Sequence, residues 1–255
     1  MKRLYGIFAL LLSAFLSFPL YAEDYKSLLR DVDALVSYDT DYSAEYTIVQ
    51  EKPGETRSTT VCAVFRRDSG EKYVILIVEP SLNKGQGYLK LGKTLWFYDS
   101  ESRRFNSTGS KEKFQNTNAR NSDFTRSTLA SDYNVAGAEK TRLGKYDCTV
   151  LDLTANNDEV TYPHMKIWIN EDNLVLKTED YSLSRQLLRT TLIPNYRKIG
   201  SKYVPARILI IDNLLGKTIE GQFVNEKTQI TIDKVSLDPL PDSLFSKQFL
   251  ESVSQ

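Results

Sequence analysis

The sequence of 255 residues is poor in the residue types from which most enzyme and metal sites are built. It has one histidine, His164, and two cysteines, and neither cysteine lies in a C-x-x-C pair or beside other metal ligands. There is no G-x-S-x-G elbow for a serine nucleophile, and Gly85-Gln86-Gly87 lacks the rest of a nucleotide-binding fingerprint. We therefore expect no enzyme activity, no metal and no cofactor, with His164 as an exposed turn residue.

The sequence also lacks an excess of either charge. It has 33 Lys and Arg against 33 Asp and Glu, for a formal net charge of zero. Proteins that bind nucleic acid or anionic membrane surfaces usually carry a basic excess. The balance therefore argues against either as the main partner.

The N-terminal segment, MKRLYGIFALLLSAFLSFPLYAED, has the three parts of a secretory signal peptide. Lys2 and Arg3 are basic, an apolar run follows, and Leu20-Tyr21-Ala22 is a cleavage site of small-residue type. An uncleaved anchor is the alternative, but the run is shorter than the roughly 20 residues of a membrane span. We predict a signal peptide over residues 1–22 and one exported domain over residues 23–255. No cysteine follows the cut closely enough to carry a lipid anchor.

Cys62 and Cys148 lie in strand-like segments, residues 59–66 and 146–154. Export to an oxidising compartment permits a disulfide between them, which the chain-entropy model values at about 4–5 kcal/mol for so long a loop. Two buried, free cysteines are the alternative. The sequence leaves both open.

The periodicity predicts few helices and many strands. Leu28, Val32, Leu35 and Val36 have the spacing of an amphipathic helix, with Asp24 as its N-cap. From Tyr42 onward, about eleven short apolar segments separated by turn residues predict an antiparallel, meandering sheet. A polar insert over residues 109–132, with a short helix near 123–130, is predicted to form a loop or lid. A last short helix is expected around residues 243–250.

The hairpin over residues 86–98 has apolar residues on both faces. A two-residue turn at Gly92-Lys93 pairs Leu91 with Thr94 and Leu89 with Trp96. Leu89, Leu91, Trp96 and Tyr98 then share one face, and Tyr88, Leu95 and Phe97 share the other. A strongly curved sheet with so few helices would enclose an apolar cavity on its inner face. A solidly packed core is the alternative.

Several motifs, in the same order along the chain, resemble those of the LolA-like family of outer-membrane lipoprotein-sorting proteins. The early block consists of Glu79-Pro80, Lys84-Gly85-Gln86-Gly87-Tyr88-Leu89-Lys90, Gly92-Lys93-Thr94-Leu95-Trp96-Phe97-Tyr98 and Ser102-Arg103-Arg104-Phe105. Weaker matches are Tyr181-Ser182-Leu183-Ser184, Leu187-Leu188-Arg189-Thr190, Lys202-Tyr203-Val204-Pro205 and Pro239-Leu240-Pro241-Asp242-Ser243. The resemblance spans nearly the whole mature chain.

The resemblance implies a mainly β fold, a curved antiparallel half-barrel closed by helices around an apolar cavity. It implies a monomeric periplasmic carrier that binds acyl chains of lipoproteins or phospholipids and moves them toward the outer membrane, between membrane-bound donor and acceptor proteins. An envelope sensor or protein-binding module of the same fold is the alternative. The family's functional arginine has three candidates here, Arg57, Arg66 and Arg67. The residues that we predict to line the cavity are Val74, Leu76, Val78, Leu89, Leu91, Trp96 and Tyr98.

Overall fold

The computed structural model describes residues 19–254, with side chains from Tyr25 onward. Most of the predicted signal peptide, residues 1–18, lies outside this part of the chain. Helix α1 (Pro19–Val36) begins before the predicted N-cap, Asp24, which therefore lies inside the helix. The prediction of the first turn was wrong because the apolar spacing begins only at Leu28 and does not define where the helix starts.

All the strands of the described residues belong to one antiparallel sheet of 13 strands. Its order is β6-β5-β4-β3-β2-β1-β13-β12-β11-β10-β9-β8-β7, so two meanders, β1–β6 and β7–β13, meet where β1 pairs with β13. The strands are β1 (Asp41–Glu51), β2 (Ser58–Arg67), β3 (Lys72–Glu79), β4 (Gly87–Leu91), β5 (Thr94–Asp99), β6 (Arg104–Thr108), β7 (Tyr133–Leu143), β8 (Tyr146–Ala155), β9 (His164–Asn170), β10 (Val175–Tyr181), β11 (Leu187–Ile199), β12 (Lys202–Ile219) and β13 (Gln222–Ser236).

The predicted antiparallel half-barrel is confirmed, and one ion pair shows how strongly the sheet curves. Lys93, in the β4–β5 turn, lies 2.8 Å from Glu159, in the β8–β9 loop. Nine strand-to-strand steps separate β4 from β8 in the sheet order. At about 4.8 Å a step, a flat sheet would place them about 40 Å apart. The sheet therefore curls until its halves face each other, but it does not close into a barrel.

The two edge strands, β6 and β7, are consecutive in the sequence. The connection between them, residues 109–132, must therefore cross the open side of the curved sheet, and we call it the insert. Phe114, Ala119 and Phe124 of the insert are buried against the inner face of the sheet. The predicted lid is thus a cover with its own apolar anchors.

Three helices complete the fold. Helix α1 and the short α2 (Leu129–Asp132) pack on the inner face of β7–β10, around the buried Leu29, Leu151 and Ile167. Helix α3 (Lys247–Val253) packs instead on the outer face of β2–β5. No helix in residues 19–254 is long and apolar enough to cross a membrane.

Two strand predictions were wrong. Strand β6 was not predicted, because its polar sequence, RFNST, lacks an apolar pattern. The predicted strand over residues 218–224 contains the turn between β12 and β13, where Glu220 and Gly221 have φ of 50° and 79°. Both turn residues need positive φ, and Glu-Gly is a weaker signal for such a turn than Asn-Gly.

Candidate functional site

The inner face of the sheet contains a cavity of about 350 Å³, which we call the inner cavity. It lies between the insert and strands β11–β13, and its volume is within the range of about 300–1,000 Å³ typical of small-molecule sites. One wall is aliphatic, because every second residue of these three strands points inward. Its residues are Ile193, Ile208, Ile210, Ile230 and Ile232.

The second wall is aromatic and comes from the segment after α1 and from β1. Tyr38 and Tyr42 stack with ring centroids 5.0 Å apart, and the Tyr42 and Tyr46 hydroxyls are 3.0 Å apart. The Tyr38 hydroxyl donates to the Tyr203 carbonyl. Burial raises the pKa of all three phenols above its ordinary value, so they stay neutral. The wall therefore presents rings whose polar ends are already bonded.

Arg66 lies against this aromatic wall and is neutralised within the protein. Its guanidinium carbon is 4.9 Å from the Tyr38 ring centroid, and its Nε is 2.6 Å from Asp68. Its terminal nitrogens donate to the Val36 and Thr125 carbonyls and to Asp68. Burial acts to lower the pKa of Arg66, but Asp68 and the tyrosines raise it above its usual value. Arg66 is thus charged, paired and bonded to the insert.

Arg189 holds the insert from the opposite side of the cavity. Its Nη1 donates to Asp123 of the insert and its Nε donates to Asp180, both at 2.7 Å. Asp180 is fully buried, and burial raises its pKa while Arg189 opposes that shift. Two largely buried arginines, one on each half of the sheet, therefore bind the insert across the inner cavity.

A second space, which we call the polar chamber, adjoins the inner cavity and has a volume of about 750 Å³. Seven basic and five acidic side chains line it, so its chemistry contrasts with the isoleucine and tyrosine walls. The two spaces are adjacent, and the residues that line both are Arg66, Ser122, Thr125, Arg126, Thr128, Asp132, Val160 and Thr161. Together they form an amphipathic site.

A larger cleft of about 930 Å³ lies between α1 and the ends of β7–β9. Charged side chains, among them Asp31, Arg142 and Asp147, line its walls. This cleft is therefore a poorer site for an apolar ligand than the inner cavity.

The residues predicted to line the cavity lie on the other face of the sheet. The predicted register is confirmed, since Leu89 pairs with Trp96 and Leu91 with Thr94. However, none of the seven lines the inner cavity. Six of them pack under α3 and the C-terminal segment, namely Val74, Leu76, Leu89, Leu91, Trp96 and Tyr98. Val78, which follows them on the same face of β3, is half-buried.

The close fit of α3 explains this correction. A Cβ at Gly87 would lie 2.7 Å from Leu250 of α3 and from the Ile75 carbonyl, so the helix sits directly on the strand. Lys247 also lies 4.5 Å from the Trp96 ring centroid. Because α3 packs so closely on these strands, no space for a ligand remains on the outer face. Both faces of the hairpin are apolar and both are covered, and alternation alone does not say which strands border the cavity.

The cavity residues that the prediction missed had a readable signal. In β1, Tyr42, Ala44, Tyr46 and Ile48 alternate with Ser43, Glu45 and Thr47. All four apolar members are buried on the inner face. Strict alternation with a tyrosine at two inward positions marks this wall in the sequence.

The three candidate arginines have three different environments. Arg57 is exposed and pairs with Glu51. Arg67 binds Asp41, Asp242 and the Leu240 carbonyl, and it also lines an edge of the polar chamber. Only Arg66 of the three lines the inner cavity.

Both cysteines are free and buried, which is the second of the two alternatives that the sequence leaves open. Cys62 on β2 and Cys148 on β8 have separate surroundings, because their thiols donate to different carbonyls, those of Tyr46 and Tyr146. Burial raises the pKa of the Cys62 thiol to about 12, so it stays protonated at neutral pH.

His164 is the first residue of β9 and is half-buried, which corrects its prediction as an exposed turn residue. Its Nδ1 is 3.3 Å from the Thr154 hydroxyl on the paired strand β8. It does not line the inner cavity.

A family model described as "Uncharacterized protein" matches residues 69–252. No protein with a curated description matches the sequence. Among solved structures, a LolA superfamily protein from Nitrosomonas europaea is 24% identical and superimposes with a TM-score of 0.73, covering 88% of this chain and 98% of its own.

Two further structures superimpose at least as well. A putative outer membrane lipoprotein-sorting protein domain from Vibrio parahaemolyticus is 17% identical with a TM-score of 0.78, covering 90% of this chain and 99% of its own. A DUF1329 family protein from Desulfovibrio piger is 17% identical with a TM-score of 0.76, covering 90% and 98%. At these identities the three structures establish the LolA-like fold.

Proposed function

This chain belongs to the family whose model matches residues 69–252, and from its LolA-like fold we propose that it is a carrier of acyl-chain amphiphiles. The observation that carries the proposal is the inner cavity, whose aliphatic and aromatic walls are partly covered by the insert. We propose that acyl chains of lipoproteins or phospholipids occupy this cavity.

The transfer of acyl chains from water into the cavity is favourable enough to hold such cargo. Burying a methylene group is worth about 0.8 kcal/mol, so a chain of about sixteen carbons gains on the order of 12 kcal/mol gross. A carrier must also release its cargo, and this requires a cover that opens at small cost. The insert meets the C-terminal half partly through polar contacts, such as Lys111 to the Asp158 carbonyl and Ser122 to Thr161. The Lys111 contact is exposed and contributes little stability. Release of cargo has to act mainly against the Arg189–Asp123 pair and against the burial of Phe114 and Phe124.

The proposed setting follows from the predicted signal peptide and from the fold. The mature chain would act in the periplasm, without a lipid anchor, and move its cargo toward the outer membrane between a membrane-bound donor and an acceptor. We propose no enzymatic step, because neither His164 nor either cysteine reaches the inner cavity. Direction would then come from the relative affinities of donor, carrier and acceptor.

Native mass spectrometry of residues 23–255, purified from a periplasmic extract without detergent, tests this proposal. We expect adducts that dissociate as phospholipid or acylated peptide. A clean protein mass, together with no uptake of the neutral apolar probe 1-N-phenylnaphthylamine, would count against a carrier.

A protein-binding or sensor module is the second candidate, and one feature favours it. Strand β12 pairs with β11 only as far as Asp212, and β13 pairs with β1 only as far as Lys227. Past these residues, β12 and β13 pair only with each other and form a two-stranded ribbon. The ribbon exposes Leu214, Leu215 and Phe223. Exposed apolar residues grouped in this way are typical of interaction sites. Two results together would favour this candidate: the protein retains no lipid, and a bound partner protein is lost on Phe223→Ser.

A further inference from the structure

The polar chamber contains a cation that the protein does not neutralise. Lys90, on β4, lines the chamber and is half-buried. Its ammonium group donates to the Gly92 and Glu71 carbonyls, and no carboxylate of the described residues lies within ion-pair distance. An ammonium group has three N–H donors, so one is left for another acceptor.

Lys90 and Arg66 are both inward residues on the same cross-strand row. Tyr73 of β3 pairs with Arg66 of β2 on one side and with Lys90 of β4 on the other. The two cations thus lie about 10 Å apart, two strand spacings. Arg66 is already bonded to Asp68, Val36 and Thr125. Lys90 is therefore the cation of this row that is available to a ligand.

The surroundings of Lys90 favour a bound anion. Burial lowers the pKa of Lys90, and the nearby Arg126 lowers it further, while Glu71 opposes them. The Arg126 Nη2 atom lies 3.7 Å from the Glu71 carboxylate, a long distance for an ion pair. A phosphate group beside Lys90 would relieve the repulsion between these cations.

We propose that the polar chamber binds the phosphate of a phospholipid head group, with Lys90 as its main contact, while the acyl chains lie in the inner cavity. This inference rests on the proposed carrier function and specifies its ligand. The wall shared by the polar chamber and the inner cavity supports this inference, because it places a phosphate in the chamber next to acyl chains in the cavity.

Displacement of 1-N-phenylnaphthylamine tests the inference with two lipids that have identical chains. Dioctanoyl phosphatidylglycerol has a phosphate and dioctanoylglycerol does not. For the native sequence we expect the phosphatidylglycerol to displace the probe at about tenfold lower concentration, the size of one charge-assisted hydrogen bond. Lys90→Gln should remove this preference and leave dioctanoylglycerol unchanged, and Lys90→Arg should retain it.

Lys227→Gln is the matched control. Lys227 is also half-buried and has no ion pair among the described residues, but it lies at the base of the β12–β13 ribbon. The Lys227→Gln variant should keep the full preference for phosphatidylglycerol over dioctanoylglycerol. Raising the salt concentration should reduce the preference in the native protein, because screening weakens the contact.

The other outcomes separate the two proposals. Equal displacement by both lipids would overturn the head-group site and leave the carrier intact. Displacement by neither lipid would overturn the carrier itself. Tight binding of glycerol phosphate alone, with the same dependence on Lys90, would show a free-phosphate site unrelated to the acyl cavity and would also overturn the inference.

Discussion

The two faces of the β2–β5 region are equally apolar, but they are covered in different ways. On the outer face, α3 and the C-terminal segment pack directly on Val74, Leu89 and Tyr98. On the inner face, Phe114 and Phe124 of the insert pack on β2–β5, and the inner cavity lies beyond them, against β1 and β11–β13. The difference shows that an apolar strand face is not by itself a binding face. The element that covers it decides whether space remains.

The largest expected effect is a loss of stability at the outer face of β2–β5, which α3 covers. Leu250 of α3 is fully buried, and Leu250→Ala should lower the free energy of unfolding by about 3 kcal/mol, because it leaves a cavity that the strands cannot fill. Probe binding by the folded variant should be unchanged. Urea unfolding and probe titration measure the two quantities. A folded Leu250→Ala protein that no longer binds the probe would reverse our assignment of the faces.

Acid should weaken the attachment of the outer cover. Asp41 accepts two hydrogen bonds from Arg67 and one from the Leu240 amide, which joins the C-terminal segment to β1 and β2. The Arg67 hydrogen bonds hold the pKa of Asp41 below its ordinary value, although burial opposes them. A depressed pKa contributes stability that is complete above the unfolded-state pKa, about 3.9, and is lost as pH falls through the folded-state pKa.

Asp41→Asn should therefore lower the free energy of unfolding by about 2 kcal/mol at pH 7, and by less at pH 3. Urea midpoints at the two pH values measure this change. Asp233→Asn is a control, since that exposed carboxylate pairs only with Arg197 at the surface. An equal loss at both pH values would show that the charge of Asp41 is not the cause.

Filling the inner cavity should affect binding more than stability. Ile208 is a half-buried wall residue, and Ile208→Trp should weaken probe binding at least about tenfold while changing the free energy of unfolding by about 1 kcal/mol. Ile211→Trp, on the opposite face of the same strand, is the matched control. If both variants bound the probe as the native protein does, the inner cavity would not be its site.

The smallest effect concerns the cysteines. Because both thiols are buried and burial raises the pKa of each, neither should react appreciably with iodoacetamide before unfolding. Mass spectrometry under non-reducing conditions should find two free thiols, and both should react in urea. A native mass two units lower than that of the reduced chain would contradict the assignment of free cysteines.

The strands and the hairpin register could be predicted from the sequence because they depend on local patterns. The Gly92-Lys93 turn determined the pairing of Leu89 with Trp96. The cavity residues could not be predicted in the same way. Strand β4 is covered on its outer face by α3, a helix more than 150 positions later, and on its inner face by the insert, and no local pattern records where either of them packs.

The long connection between the edge strands was recognised as an insert from its polar composition, but its role was not fully predicted. Phe114 and Phe124 are separated by nine polar or small residues, so no periodicity links them. They meet because the insert folds back on itself, with hydrogen bonds between Phe114 and Ala119 and between Glu112 and Asn121. Contacts of this kind come from the tertiary fold.

The seam between β1 and β13 has a consequence for how the protein folds. Every other pair of neighbouring strands in the sheet is consecutive in the sequence, so each meander can form from local contacts. Only the seam joins residues from opposite ends of the chain, such as Tyr46 and Ile232, and pairings this distant form slowly. Both of these residues line the inner cavity. We therefore expect the cavity to form only when the seam pairs, and we expect a lipid present at that moment to favour the completed sheet over the two separate meanders.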